Sequence, residues 1–264
     1  MLVFPQLSTG SVALYPLRRT RRRRTVQNVL AGGTVVTFAD PDSAVTQWDL
    51  EAVGLSEAER GALVGFFETV GGEESTFTFL EPAGNLLAQS ETFGAAEWGN
   101  SPLMSVVTGI DDPWGGTRAS RITNSGPVAG SIAQLLAVPG TFQYVLSAWA
   151  RANTASTVTL IAETTGGSAE KAFALTNAWL RVSMPVALGF ATESVRFGVR
   201  VEAAKAVDLV AMQAEAQPGA GDYQRTGATG GVHLKARFGM DELAIRARGM
   251  DVYDAVIRIV SKGN

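Results

Sequence analysis

The strongest constraint on this chain lies between residues 85 and 226, where short segments alternate apolar and polar side chains and none repeats at helical spacing. Tyr144 to Arg151, Thr157 to Glu163, Trp179 to Pro185, Val195 to Glu202 and Val207 to Glu215 all read this way. A side-chain period of two buries one face of a strand and leaves the other in water. Gly, Asn, Thr and Pro stand between the segments and mark turns. Several such strands with no convincing helix among them predict an antiparallel jelly-roll β-sandwich over residues 85–228. Composition agrees: 46 % of the residues are apolar, only 18 % are charged, and there are 29 glycines.

The two ends have a different texture. Asn28 to Phe38 reads as one extended, β-branched segment, and Asp40-Pro41-Asp42-Ser43 as a turn. Trp48, Leu50 and Ala52 then alternate with Gln47, Asp49 and Glu51, a half-buried strand. Ser56-Glu57-Ala58-Glu59 is a capping box, in which a serine and a glutamate each satisfy an otherwise orphaned backbone amide. Leu63, Phe66, Phe67 and Val70 fall on one helical face, and Gly71-Gly72 ends the helix. A strand from Thr76 to Leu80 follows, and three more are expected at His233 to Phe238, Leu243 to Arg248 and Val252 to Val260. Neither end can bury a core alone. The fold class expected is therefore mainly β: residues 1–84 and 229–264 close into one small α+β domain, with the sandwich inserted between them.

Other features exclude whole classes of function. There is no cysteine, hence no disulfide, thiolate metal site or cysteine nucleophile. A net charge of −3 lacks the basic footprint of a general nucleic-acid binder. No apolar run reaches the ~20 residues that span a bilayer, and no membrane partner is expected. The arginine cluster follows the apolar N-terminus instead of preceding it, the wrong order for a secretory signal, so folding in a cytoplasm is expected. His233 is the lone histidine, sits in an expected strand and has no nucleophile motif nearby. Glycosidase chemistry needs two carboxylates about 5–9.5 Å apart; Glu91, Glu97, Glu163 and Glu215 are present, but no motif pairs them. Gly115-Gly116, Gly166-Gly167 and Gly230-Gly231 lack the spacing of phosphate-binding loops and read as turns.

Two stretches resemble known families. Phe4-Pro5, Leu55-Ser56-Glu57-Ala58-Glu59, Leu63 to Phe67 and Phe77-Thr78-Phe79-Leu80-Glu81-Pro82, with Met240 to Leu243 and Val252 to Val256, resemble bacteriophage distal-tail and minor-tail proteins. Asn85 to Phe93, Trp98, Pro113 to Thr117, Tyr144 to Arg151, Trp179 to Val182, Val207 to Leu209 with Ala214-Glu215, and Asp222 to Thr226 resemble the carbohydrate-binding-like sandwich of phage tail proteins. Met212-Gln213-Ala214-Glu215 departs from the more usual Ala-Gln-Leu-Glu. The resemblance implies a homo-oligomeric, six-fold ring in the virion, at the junction of tail tube and tip or baseplate hub. Each subunit would present a sandwich for host attachment, with DNA as passing cargo only.

The candidate sites are few. Arg18, Arg19, Arg21, Arg22, Arg23 and Arg24 form one basic run inside a segment, residues 1–84, that holds seven basic and ten acidic residues. Inter-subunit or tube contact is the favoured role, against DNA contact or an inert solvated strand. Trp98, Trp114, Trp149, Trp179, Tyr144 and Tyr223 are the aromatic residues available for sugar recognition, of which Trp149 and Trp179 are expected in the core. Trp114 lies in a turn-rich loop and is the better sugar-binding candidate, with Tyr144 beside it, although packing over the sandwich end is the commoner use of such a residue. Asp111-Asp112 could ligate calcium but more often shape a turn. No catalytic residue, metal site or cofactor is assigned. The expected function is a structural tail-tip component with a glycan-binding sandwich and no enzymatic activity. A glycan-degrading depolymerase subunit, or a ligand-free decoration domain, are the alternatives.

Overall fold

The computed structural model describes residues 1–82 and 84–262. In chain order the strands are β1 (Leu17–Val29), β2 (Val35–Leu55), β3 (Phe77–Leu80), β4 (Gly99–Asn100), β5 (Met104–Ile110), β6 (Ala119–Asn124), β7 (Gly130–Leu136) and β8 (Gln143–Arg151). There follow β9 (Ser156–Glu163), β10 (Ser168–Leu175), β11 (Leu180–Ala187), β12 (Val195–Val201), β13 (Lys205–Glu215), β14 (Val232–Phe238), β15 (Ile245–Gly249) and β16 (Val252–Lys262). One helix, α1 (Glu57–Val70), lies between β2 and β3. The protein is mainly β, as its alternation predicts. Contacts divide it into two compact units, one of Met1–Ser8, Ala13–Phe79 and the C-terminal stretch from His233, the other of Thr9–Val12 and Leu80–Val232.

The first unit is one sheet ordered β1-β2-β16-β14-β3, with β15 added beside β16. Helix α1 begins at a true capping box: Glu59 donates its backbone N–H to Ser56, and Ser56 returns its own to the Glu59 carboxylate. It stops at Gly71, whose φ of 67° suits a residue without Cβ. Leu63 and Val70 are buried beneath it, and Phe66 and Phe67 reach a ring cluster with Phe4, Phe77, Phe79 and Phe238. Trp48 is fully buried against Phe79 and the His233 imidazole, which makes that histidine a packing residue.

Part of the first unit departs from expectation. Asn28 to Phe38 is not one strand: Gly33, at φ 80°, lets the chain reverse between Leu30 and Thr34. The expected turn at Asp40–Ser43 remains within β2. There the pairing slips, so that Arg22 faces Val45 and Arg24 faces Asp40, and the surplus residues of β2 are taken up in a bulge. The slip has a topological consequence. β16 pairs with β2 only from Val45 to Leu55. Residues 23–40 therefore leave the sheet as a two-stranded arm, held among the described residues only by its own ladder. Val29, Leu30, Val35 and Phe38 on this arm are each more than half exposed.

The second unit is a sandwich of two antiparallel five-stranded sheets, β10-β9-β12-β7-β4 and β11-β8-β13-β6-β5. Val158, Leu160, Phe197 and Val199 of the first sheet and Tyr144, Leu146, Val182 and Leu209 of the second are buried and form the core. All five strands legible in the alternation are present. The unit starts and finishes side by side: Glu81 donates its N–H to Gly231 O and Gly231 donates to Asn85 O, both at 2.8 Å. Buried Asn85 ties this seam to β13, with its amide donating to Met212 O and its carbonyl accepting from Leu87 and Ala214.

Asp208 is the main buried charge on the outer face of the second sheet. Its carboxylate is 1 % exposed and accepts from Arg121 at 2.7 and 3.1 Å and from Arg151 at 3.0 Å. Removing one partner of a buried ion pair costs about 3–5 kcal/mol. Both guanidiniums keep access to water, so Asp208→Ala should cost about 2–3 kcal/mol, below that range. Urea unfolding of the variant measures this; an unchanged midpoint would show that the pair only breaks even.

Candidate functional site

The site forms on the outer face of the sheet that contains β8, β11 and β13, and it starts from one aspartate. Asp112 is buried and accepts the backbone N–H groups of Trp114 at 2.8 Å, Gly116 at 3.1 Å and Arg118 at 3.2 Å, together with Arg118 Nε at 2.9 Å. The loop curls around this carboxylate. Gly115, at φ 83°, and Gly116, where a Cβ would lie 2.7 Å from the carboxylate, allow the curl. The result is that Trp114 is pushed outward and left 49 % exposed.

Trp114 does not stand alone. The Arg118 guanidinium covers its ring at 4.8 Å. Tyr223 lies parallel to it, with centroids 6.4 Å apart and 13° between planes, and Trp149 meets it edge-on at 5.7 Å. The Tyr223 hydroxyl is fixed at 2.7 Å from Ser90 Oγ. Beneath these rings Ala119, Val210 and Ala211 form a buried apolar floor. Ala211 takes a positive φ of 58° where β13 bulges against β8. A cleft of about 400 Å³ opens between Trp114, Arg118, Trp149, Arg181, Asp222 and Tyr223.

Its far wall is held by a second buried acid. Glu215 accepts the Gly221 N–H at 3.1 and 3.2 Å and the Gln217 amide at 2.8 Å, and Arg181 donates Nη2 to Gly221 O. Burial raises the Glu215 carboxyl above the usual range. Asp112 goes the other way. Burial alone would raise it, but the Arg118 guanidinium and three backbone donors outweigh that and bring it to about 2, from an ordinary 3.8. A depressed folded-state value stabilises above the unfolded value and is lost as pH falls through the folded one. The loop contribution should therefore be complete above about pH 4 and fade toward pH 2. Tryptophan fluorescence followed through acid titration should show this step in the native protein and lose it in Asp112→Asn.

These positions can be compared with the residues chosen from sequence. Trp114 lines the cleft. Asp112 lies beneath it with its carboxylate fully engaged, so its role here is to shape the loop; Asp111 is exposed and outside the lining. Tyr144 needs correction. It is 1 % exposed in the sandwich core and donates its hydroxyl to Pro139 O at 2.6 Å, so no ligand can reach it from outside. Trp149, expected in the core, alternates with fully buried Ala148 and Ala150 and so faces outward into the cleft. Trp179 is also half-buried on that outer face, under the Arg151 guanidinium at 4.8 Å. The sequence offers Tyr223 only as one of the available aromatic residues and gives no signal for Arg118, Arg181 or Asp222 as site residues. Among the described residues no group of three or more His, Cys, Asp or Glu is placed to hold a metal ion.

The arginine run lies on β1. Arg19 sits over the Trp48 ring at 6.0 Å, and Arg24 reaches Asp40 at 3.8 Å. Arg21, Arg22 and Arg23 are exposed at the base of the arm and meet no acid among the described residues.

No family and no curated protein matches this sequence. Solved structures do resemble part of the fold. TmCBM61, in complex with beta-1,4-galactotriose, is 17 % identical over 49 % of this chain and 97 % of its own, with a TM-score of 0.40. The CBM22-1 xylan-binding domain of Paenibacillus barcinonensis Xyn10C is 16 % identical over 53 % and 98 %, with a TM-score of 0.43. The enzymatically active domain of bacteriophage CBA120 tailspike protein 4 is 14 % identical over 52 % of this chain but only 22 % of its own, with a TM-score of 0.40.

Proposed function

We propose that this protein is a non-enzymatic structural component of a phage-type tail tip, carried in the virion, that presents a glycan-binding sandwich to the host surface. The observation that carries the reading is Trp114, half exposed and parallel to Tyr223, with Arg181 and Asp222 beside it. An aromatic ring covers the apolar C–H face of a sugar, and a few convergent polar groups fix its hydroxyls. Asp222 is the one carboxylate lining this cleft among the described residues, and nearby Glu215 is occupied by Gly221 and Gln217. That supports recognition over hydrolysis, which needs a second acid at about 5–9.5 Å.

The assembly part of the reading rests on the sequence resemblance and on the arm. Residues 1–84 and 229–264 form the oligomerising domain, residues 85–228 the binding one. A bare two-stranded ribbon is at best marginally stable in water. One with exposed apolar side chains, and with arginines at its base that meet no acid among the described residues, suits a neighbouring subunit, or the tail tube, as its cover. A six-fold ring multiplies weak sites into useful avidity if they engage together.

The test is a pair of measurements on the full chain. Sedimentation should show a ring, alone or with the tube protein, and a glycan array should show retention on a defined group of sugars. Monomer under both conditions removes the assembly reading. Silence on the array leaves the sandwich as a decoration.

A further inference from the structure

We infer that the cleft selects acidic glycans, with a sugar carboxylate held by Arg181 while Trp114 stacks on the ring. This names a ligand class for the site and rests on the glycan-binding reading. The argument turns on the difference between two arginines. Arg118 is occupied: Nε goes to Asp112 and Nη1 to Glu91, its plane lies on Trp114, and the two acids it meets are both buried. Arg181 is not. It projects from β11 beside Trp149, its partner in register, and its one hydrogen bond among the described residues is from Nη2 to the neutral carbonyl of Gly221. That bond orients the guanidinium and leaves its remaining N–H donors unused. The acid that acts on it, Glu215, already accepts from Gly221 and Gln217.

A neutral sugar uses such a group poorly, because hydroxyls accept one bond at a time and leave the charge unmatched. A carboxylate takes two parallel N–H bonds from the planar fork and neutralises it in a half-enclosed, apolar-floored cleft. Asp222 completes the selection. Its exposed carboxylate lines the same cleft, repels an acid from its own side and accepts hydroxyls. Arg181 and Asp222 thus give the bound sugar a direction.

The test uses the full chain on an array of carboxylated oligosaccharides, each paired with its carboxyl-reduced alcohol. The acid form should bind about tenfold or more tighter at low salt, with the advantage shrinking as ionic strength rises. Arg181→Gln should abolish the preference, bringing the acid form down to the affinity of its reduced partner. Arg181→Lys, which keeps the charge without the fork, should recover only part of it and serves as the second variant should Arg181→Gln not fold. Equal affinity within pairs, or a preference that survives Arg181→Gln, overturns this inference and leaves glycan binding standing. Retention of neither form of any pair removes both.

Discussion

Replacing Val26 to Phe38 by a two-residue Asn-Gly turn should leave a folded protein that no longer assembles. The excised segment contributes no buried residue to the cores: all but half-buried Val36 are exposed, and its ladder closes only on itself. The shortened β1 and β2 would still pair from Leu17↔Leu50 to Arg22↔Val45, and Trp48 would stay buried. Asn-Gly supplies the positive φ that a tight hairpin needs. Thermal melting should therefore change little, while sedimentation velocity should shift from ring to monomer. A ring that persists would move the subunit contact elsewhere. A large loss of stability would mean that the arm folds back on its own subunit.

Trp114→Ala should remove glycan binding without harming the fold. The side chain is half exposed, and the loop geometry is set by the Asp112 carboxylate and backbone donors, not by the indole. What disappears is the ring face available for stacking. Losing an aromatic anchor from the centre of a site commonly costs about 2 kcal/mol or more, a roughly thirtyfold weaker dissociation constant. Array or cell-surface binding would register this as near-complete loss, with an unchanged melting temperature as the control. Undiminished binding would place the sugar elsewhere on the sandwich.

Much of the fold was legible because burial imposes a period on the sequence. β9, β11 and β12 bury one face against the opposing sheet and alternate accordingly, while β8 and β13 are buried over most of their length and stand out as long apolar runs. β6 and β7 are largely buried yet mix small and polar residues with few large apolar ones, so neither stands out as an apolar run. The other strands that the pattern does not announce obey weaker rules. β5 and β10 are mostly exposed, and β4 is two residues long, so none carries a marked apolar face. The arm reads as one strand because β-branched residues flank the reversal on both sides, Val29 before it and Thr34 to Thr37 after it, and mask Gly32-Gly33 as the place where the chain turns. The site was half legible. A tryptophan between proline and two glycines announces an exposed loop, and Trp114 was found. Arg181 and Trp149 sit in strands, where a period of two says that one face is outward but not which outward face gains a cleft. Tyr144 was misassigned for the converse reason: in an apolar strand an aromatic goes inward with its parity.

The seam formed by Glu81, Asn85 and Gly231 has a practical corollary. Two hydrogen-bonded segments run about 5 Å apart, so the sandwich begins and ends within the span of an ordinary hairpin. Engineers could graft Leu80 to Val232 into a surface turn of an unrelated carrier and ask that carrier for no wider gap than it already has. The same adjacency would let the native ends be sealed and new ones cut in an exposed loop such as Gly166-Gly167, yielding a permuted reagent for surface labelling.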